Sequence, residues 1–248
     1  MSARPVVEGV WLVASGTDEE ALTDPHDCHC YLLWDGEGGF LVDAGTGLGA
    51  GRWLDNVREV CAPSRLGGVL LTHYHADHAG GAAAACEAGL PVFGHPITTE
   101  ALAAADEDRT QVARARAVGV YPPDYRLRPA QVQPLAAGAR LTSGGITVEV
   151  IDAPGHCDGH VVFLLNAREG VLLSGDCLFA EGRVSLQAIP DCRLAEYADT
   201  VATLAERSPD VLLPGHGDLV LGGAADGVRR AAASFARLVP PPNFLVAW

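Results

Sequence analysis

Residues 71–81 read LTHYHADHAGG and place His73, His75, Asp77 and His78 within six consecutive positions. The stretch that leads into them, LGGVLLTH (66–73), is a short continuous apolar run, which predicts a buried strand. The stretch that follows, HAGGAAAACEAG (78–89), predicts a helix. The cluster therefore belongs to a loop at a strand end, where rigid scaffolds place chemistry. Histidines at i and i+2, then an aspartate and a histidine at i+4 and i+5, do not all serve one ion comfortably. They divide more naturally between two ions a few ångströms apart.

Working outward, VVEGVWLVAS (6–15) and CYLLWDGEGGFLVDAG (30–45) read as strands, with DGEGG as a hairpin turn. In GLGAGRWLDNVREV (47–60), Trp53, Leu54, Val57 and Val60 share one face of a predicted helix. Downstream, LPVFGH predicts a strand, residues 98–118 a helix, and YPPDYRLRPAQVQP (121–134) a loop. Strands are expected in GITVEVIDAPGH, HVVFLLN, GVLLSGD and DVLLPGH, and helices over 193–207 and 223–239. The apolar tail PPPNFLVAW (240–248) is expected to pack on its own body or on a partner. Strands alternating with helices throughout predict one domain over 1–248, with 98–135 as a helical and loop cap. Three further strand ends carry ligand-type residues: APGHCDGH with His156 and His160, SGDC with Asp176, and LPGH with His216.

Composition narrows the function. Seventeen basic residues, all arginine, face 31 acidic ones for a net charge of −14. No basic cluster is present to neutralise a nucleic-acid backbone. Without lysine there is neither a phosphate-binding P-loop nor Schiff-base chemistry. The opening MSARPVVEGVWLVASG has no long apolar core, and no run approaches the ~18 apolar residues of a membrane span. Seven cysteines without paired spacing predict reduced thiols. The expectation is a cytoplasmic protein with a small-molecule substrate and no nucleic-acid or membrane partner.

In order along the chain, DAGTG, THYHADHAGG, APGHCDGH, SGDCLF and LPGH resemble the motif set of the metallo-β-lactamase-fold hydrolases, nearest in style to glyoxalase-II-like enzymes. The resemblance implies an α/β fold, a four-layer αββα sandwich. It implies that His73, His75 and His156 bind one metal, that Asp77, His78 and His216 bind a second, and that Asp176 bridges them. Asp77 is then also the residue that orients a metal-bridging hydroxide, and Asp43 supports the ligand loops from behind. Imidazole with carboxylate suits two zinc ions, with iron or manganese as alternatives. Two ions sharing a hydroxide supply a nucleophile near neutral pH, one of them polarising the substrate oxygen.

Departures from the family's branches sort the chemistry. Zinc β-lactamases lack the bridging aspartate and are usually exported. Acyl-homoserine lactonases carry a tyrosine shortly after that aspartate, where this chain reads DCLFAEG with Phe179. Glyoxalase II has a helical C-terminal domain for glutathione, and only 32 residues follow His216 (248 − 216). The reading is a binuclear hydrolase of a small thioester, ester or lactone. Its alternatives are a mononuclear-iron persulfide dioxygenase, disfavoured by the intact HxHxDH box, and a non-catalytic metal-binding module, disfavoured because no ligand is missing.

Other signals are weaker. DAGTGLGA imitates a dinucleotide fingerprint, but the next strand ends in Thr72 and His73 and not in the acidic residue that would hold a ribose. CHC (28–30) lacks a second pair to complete a metal clip; Cys28 and His29 are expected to line the site mouth and Cys30 to enter the core. His160 is expected behind the ligands and His95 in a structural role. Cys157 and Cys177, each next to a ligand, read as small buried residues. Tyr121, Tyr125, Arg126 and Arg128 are candidates for contacting an anionic substrate. The tail ending at Trp248 is a candidate homodimer contact.

Overall fold

The computed structural model describes residues 2–16, 21–165 and 170–245. The chain divides into two compact units. One comprises the described residues up to Ala136 with Thr142–Ile146; the other comprises Ala137–Leu141 with those from Thr147 on.

The first unit is built on a seven-stranded sheet whose spatial order is its chain order. Strands β1 (Arg4–Val7), β2 (Val10–Ala14), β3 (Cys30–Trp34) and β4 (Gly39–Val42) form an antiparallel meander. From β4 onward, β5 (Leu66–Leu70), β6 (Val92–Gly94) and β7 (Val132–Pro134) pair in parallel. Parallel neighbours need crossovers, usually helical. They are α1 (Ala50–Val60), α2 (Ala76–Ala79) with α3 (Ala82–Glu87), and α4 (Pro96–Ala103) with α5 (Val112–Ala117). The β3–β4 turn is held by Asp35, whose Oδ1 accepts the N–H groups of Glu37 and Gly38, both at 2.8 Å.

Helix α1 shows the expected face, burying Trp53, Leu54 and Val57, with Val60 half-buried. Asn56 joins the buried face because its Nδ2 donates to the Val13 carbonyl at 2.7 Å. The predicted helix over 98–118 is instead two helices. Ala105 and Gln111 between them adopt positive φ (48° and 63°), which a continuous helix of L-residues does not accommodate. The predicted loop over 121–134 also ends differently: Val132–Pro134 form β7, the edge strand of the sheet.

A five-stranded sheet, ordered β12-β11-β10-β9-β8, lies in the second unit except for the residues of Thr142–Ile146; its strands are β8 (Arg140–Ser143), β9 (Ile146–Asp152), β10 (Val161–Leu165), β11 (Val171–Gly175) and β12 (Val211–Pro214). Strand β10 is antiparallel to both β9 and β11, and β12 is parallel to β11. Strands β9, β11 and β12 therefore run the same way and end at one edge. Helix α6 (Leu194–Arg207) makes the β11–β12 crossover, and α7 (Ala224–Ala236) follows β12. The tail packs on its own unit: the Phe244 ring stacks on Phe179 at 4.0 Å, and Asn243 exchanges two hydrogen bonds with the Leu186 backbone. Residue Trp248, the candidate dimer contact, lies outside the described residues. None of the seven cysteines, all of them among the described residues, is in a disulfide. No helix among the described residues is long and apolar enough to cross a membrane.

Candidate metal centre

Each unit gathers a group of donor side chains at the carboxyl ends of its strands, the position from which open α/β sheets present their sites. In the first unit the donors follow β5, and the residue that orders them follows its neighbour β4. Asp43 there adopts φ 61°, a left-handed conformation that Asp tolerates better than most residues. Its Oδ1 accepts the Thr72 N–H at 2.8 Å, and its carboxylate takes the Thr72 hydroxyl at 2.9–3.0 Å. Its Oδ2 lies 2.8 Å from Nδ1 of His78. The Thr72 hydroxyl lies in turn 3.0 Å from Nδ1 of His73.

A hydroxyl has one proton, and the carboxylate has none to give. Thr72 therefore donates to Asp43 and accepts from His73 Nδ1–H, while His78 Nδ1–H donates to Asp43. This chain of bonds sets both imidazoles in the Nδ1–H tautomer, with the lone pair on Nε2. Carboxylate or hydroxyl partners behind a ring are the usual way in which metal-binding histidines are oriented.

The rings themselves crowd together. The His73 centroid is 4.6 Å from His75 and 4.2 Å from His78, and all three are buried. Asp77 approaches from a partly exposed position, its Oδ2 3.7 Å from His78 Nε2. Three buried imidazoles at this spacing would repel one another as cations, whereas as neutral nitrogen donors beside a carboxylate they suit a divalent cation. The Ala76 N–H between these ligands donates to Thr110 O at 3.1 Å, which ties the cluster to the turn before α5.

The loop that carries Asp43 has its own clamp. Buried Asp27 accepts the Thr46 N–H and hydroxyl at 2.8 and 2.6 Å, and burial pushes its carboxyl up despite those donors. Cys28 and Cys30 are fully buried with Sγ atoms 3.8 Å apart, and burial drives the Cys28 thiol well up. Buried thiols of that kind are poor nucleophiles.

In the second unit, His156 follows β9, Asp176 follows β11 and His216 follows β12. Asp176 lies between the histidines: Oδ2 is 3.7 Å from His156 Nε2, and Oδ1 is 3.7 Å from His216 Nε2. His156 Nδ1 donates to Ser185 O at 3.1 Å, so this ring too carries its lone pair on Nε2. His160 is buried and accepts the Asp176 N–H on Nε2 at 3.2 Å. Cys157 and Cys177 are buried beside their ligands, and burial pushes the Cys177 thiol far up.

The remaining candidates scatter more widely. Tyr121 packs edge-on against His26 and Tyr125, with ring centroids 5.7 and 5.0 Å away, and burial pushes its phenol far up. Tyr125 donates to Thr46 O at 2.7 Å, a backbone contact of the Asp43 loop. Arg126 is exposed, with Nη1 on the Pro123 and Tyr125 carbonyls, and Arg128 pairs with Glu87. His29 is buried 3.3 Å from the Tyr31 hydroxyl. His95 caps α4, accepting the Ile97 N–H.

Comparison with known proteins agrees with this donor set. The family model of the metallo-β-lactamase superfamily matches residues 23–216. The chain belongs to that superfamily. Its relatives include a hydroxyacylglutathione hydrolase of Halorhodospira halophila, 31% identical over 67% of this chain and 52% of the relative. Another is the atrochrysone carboxyl ACP thioesterase of Aspergillus fumigatus, 27% identical over 77% of this chain and 50% of the relative. The chain thus spans about half the length of each. Among solved structures, a mutant metallo-β-lactamase of Cronobacter sakazakii superposes with a TM-score of 0.71 at 20% identity, covering 96% of both chains. The fold is accordingly the metallo-β-lactamase sandwich, the superfamily binds divalent metal, typically zinc, and the relatives named for an activity are hydrolases.

The sequence motifs that contain the donors and Asp43 do not single out Thr72, Ser185 or Tyr197. Thr72 was visible as a hydroxyl residue next to His73, and Tyr197 as a polar-tipped residue in the apolar stripe of α6.

Proposed function

We propose that this superfamily member hydrolyses a small thioester, ester or lactone with two divalent ions, zinc foremost. In this reading His73, His75 and His156 hold one ion, Asp77, His78 and His216 hold the other, and Asp176 serves both. The observation that carries the reading is the bonded series His73–Thr72–Asp43–His78. It fixes two buried imidazoles as Nε2 donors, an arrangement with no purpose in a core that only needs packing. Bound there, the ions would supply an acidified water and an electrophilic hold on the substrate carbonyl oxygen.

The side chains do the rest. Asp77, the more exposed of the two aspartates among the donors, is the carboxylate that would orient the attacking hydroxide. The Asp43–Thr72 pair keeps the rings from rotating as charge develops. Tyr121 and His26 form an aromatic wall in the first unit, and the raised phenol of Tyr121 stays a neutral donor for a substrate oxygen. Thioesters lead the list because two relatives are named a hydroxyacylglutathione hydrolase and a thioesterase. A net charge of −14 disfavours polyanionic substrates.

The test is elemental analysis of protein purified without added metal, followed by assay on acyl-thioesters, aryl esters and lactones. Close to two zinc ions per chain with thioester cleavage supports the reading. One iron per chain with oxygen uptake on persulfides overturns it.

A further inference from the structure

We infer that Tyr197 is the positioning residue of the second donor group, the one hydroxyl through which α6 sets both the Asp176 turn and the carbonyl that orients His156. This rests on the proposed role of His156 and Asp176 as metal ligands. Tyr197 is fully buried in the first turn of α6. Its Oη accepts the Ser185 N–H at 3.1 Å, and its single proton is shared between the carbonyls of Cys177 at 2.6 Å and Asp176 at 3.0 Å. The same Ser185 holds Nδ1 of His156 on its carbonyl oxygen. One phenol therefore links the backbone under the carboxylate to the backbone behind the imidazole.

The chain around His156 is shaped to reach this helix. Gly155 has φ 136°, and a Cβ on it would come within 2.5 Å of the Tyr197 Cα. Only glycine permits that approach. On either side, Thr200 Oγ1 donates to Pro154 O at 2.7 Å and Arg193 N donates to Gly155 O at 2.8 Å. The Arg193 guanidinium then grips Asp158 through two bonds of 2.7 and 2.9 Å. The first half of α6 is thus a platform for residues 154–158, and Tyr197 is the point on it that also touches the Asp176 turn.

Packing alone does not explain the residue. The ring lies against Phe235 with centroids 6.0 Å apart, a contact that phenylalanine would make equally well. The hydroxyl is what the donor group uses. Outer partners of metal ligands typically alter affinity 10–100-fold when removed.

The experiment uses the full chain, stripped of metal and titrated with Co(II) against a competing chelator while the visible absorption is recorded. Tyr197→Phe is expected to weaken Co(II) binding at least ~10-fold and to change the absorption bands, while the metal-free protein still melts cooperatively. Phe235→Leu is the packing control, expected to lower the melting temperature and leave Co(II) affinity unchanged. Wild-type affinity and spectrum in Tyr197→Phe overturn the inference, as does an equal loss of affinity in Phe235→Leu. Should Tyr197→Phe fail to fold, Thr200→Val, which frees only the Pro154 carbonyl, carries the test. A several-fold weakening there supports the platform and unchanged binding overturns it. A wild-type chain that binds no Co(II) overturns the proposed metal centre itself, and the inference with it.

Discussion

His78 Nδ1 sits 2.8 Å from Asp43 Oδ2, and the two residues come from loops after neighbouring parallel strands, β5 and β4. Asp43 thereby accepts the Thr72 N–H on Oδ1, the Thr72 hydroxyl on its carboxylate, and the His78 imidazole on Oδ2. An amide cannot replace it. In Asp43→Asn the NH2 group faces a donor at one position or the other, so His78 must turn its proton to Nε2 or lose its partner. Asparagine tolerates the left-handed backbone, so the fold is expected to survive. Metal affinity should fall ~10–100-fold, measured by chelator competition, with far-UV circular dichroism unchanged.

Metal removal should cost stability as well as activity. A ligand present at ~100 times its Kd stabilises the folded state by about 2.7 kcal/mol. Within each unit the donors come from separate loops or positions, His73 to His78 in the first and His156, Asp176 and His216 in the second, so each group is assembled only in the folded chain. Treatment with a strong chelator should lower the melting temperature by several degrees, and added zinc should restore it. An unchanged melt after verified metal removal would contradict the assigned donors.

The segment between α4 and β7 supplies a pH-dependent brace. Arg116 Nη2 bonds Glu107 Oε2 at 2.7 Å, and its Nη1 holds the Tyr125 carbonyl at 2.9 Å. That hydrogen bond from Arg116 holds the Glu107 carboxyl below its ordinary range. A depressed carboxylate contributes stability above its unfolded pKa of about 4.3, and the contribution is lost as pH falls through the lower folded value. Glu107→Gln should therefore be less stable at pH 7 by about 1 kcal/mol or less, given the partial exposure of the pair. The difference from wild type should close as pH falls below 4 in urea titrations.

How much of this was legible in the sequence depends on the length scale of each signal. Strand β5 and the α1 face were readable because apolar runs and helical spacing are local. The donors were readable because strand-end loops put them in short motifs. Strands β7 and β8 were not, being three or four residues long and largely exposed, so they lack an apolar run. The break in the 98–118 helix was hidden because Ala105 and Gln111 are ordinary helix residues that tertiary contacts place at positive φ. Thr72 and Ser185 are hidden for a related reason: their role lies in one hydroxyl and one carbonyl, and it depends on Asp43 and His156, each 29 residues away.

The two glycines of HAGG separate α2 from α3, and their second task gives a discriminating prediction. The turn docks on the Asp43 loop through Ala44 N to His78 O at 2.8 Å and Gly81 N to Gly45 O at 2.9 Å. A Cβ on Gly81 would run into the Ala44 carbonyl oxygen, which is backbone and has little room to give. Gly51, in the first turn of α1, is exposed, has ordinary φ, and nothing lies within 4 Å of a Cβ built there. Alanine at Gly51 should stabilise by up to about 0.5 kcal/mol through lost chain entropy in the unfolded state. Alanine at Gly81 should destabilise by about 2 kcal/mol or more and loosen metal, because the clash pushes on the residue next to Asp43. Thermal melts of the two variants, with zinc retention measured after dialysis, should move in opposite directions for stability, with retention lost only in Gly81→Ala. Equal effects would mean that the close approach of these two loops does not set the donor geometry.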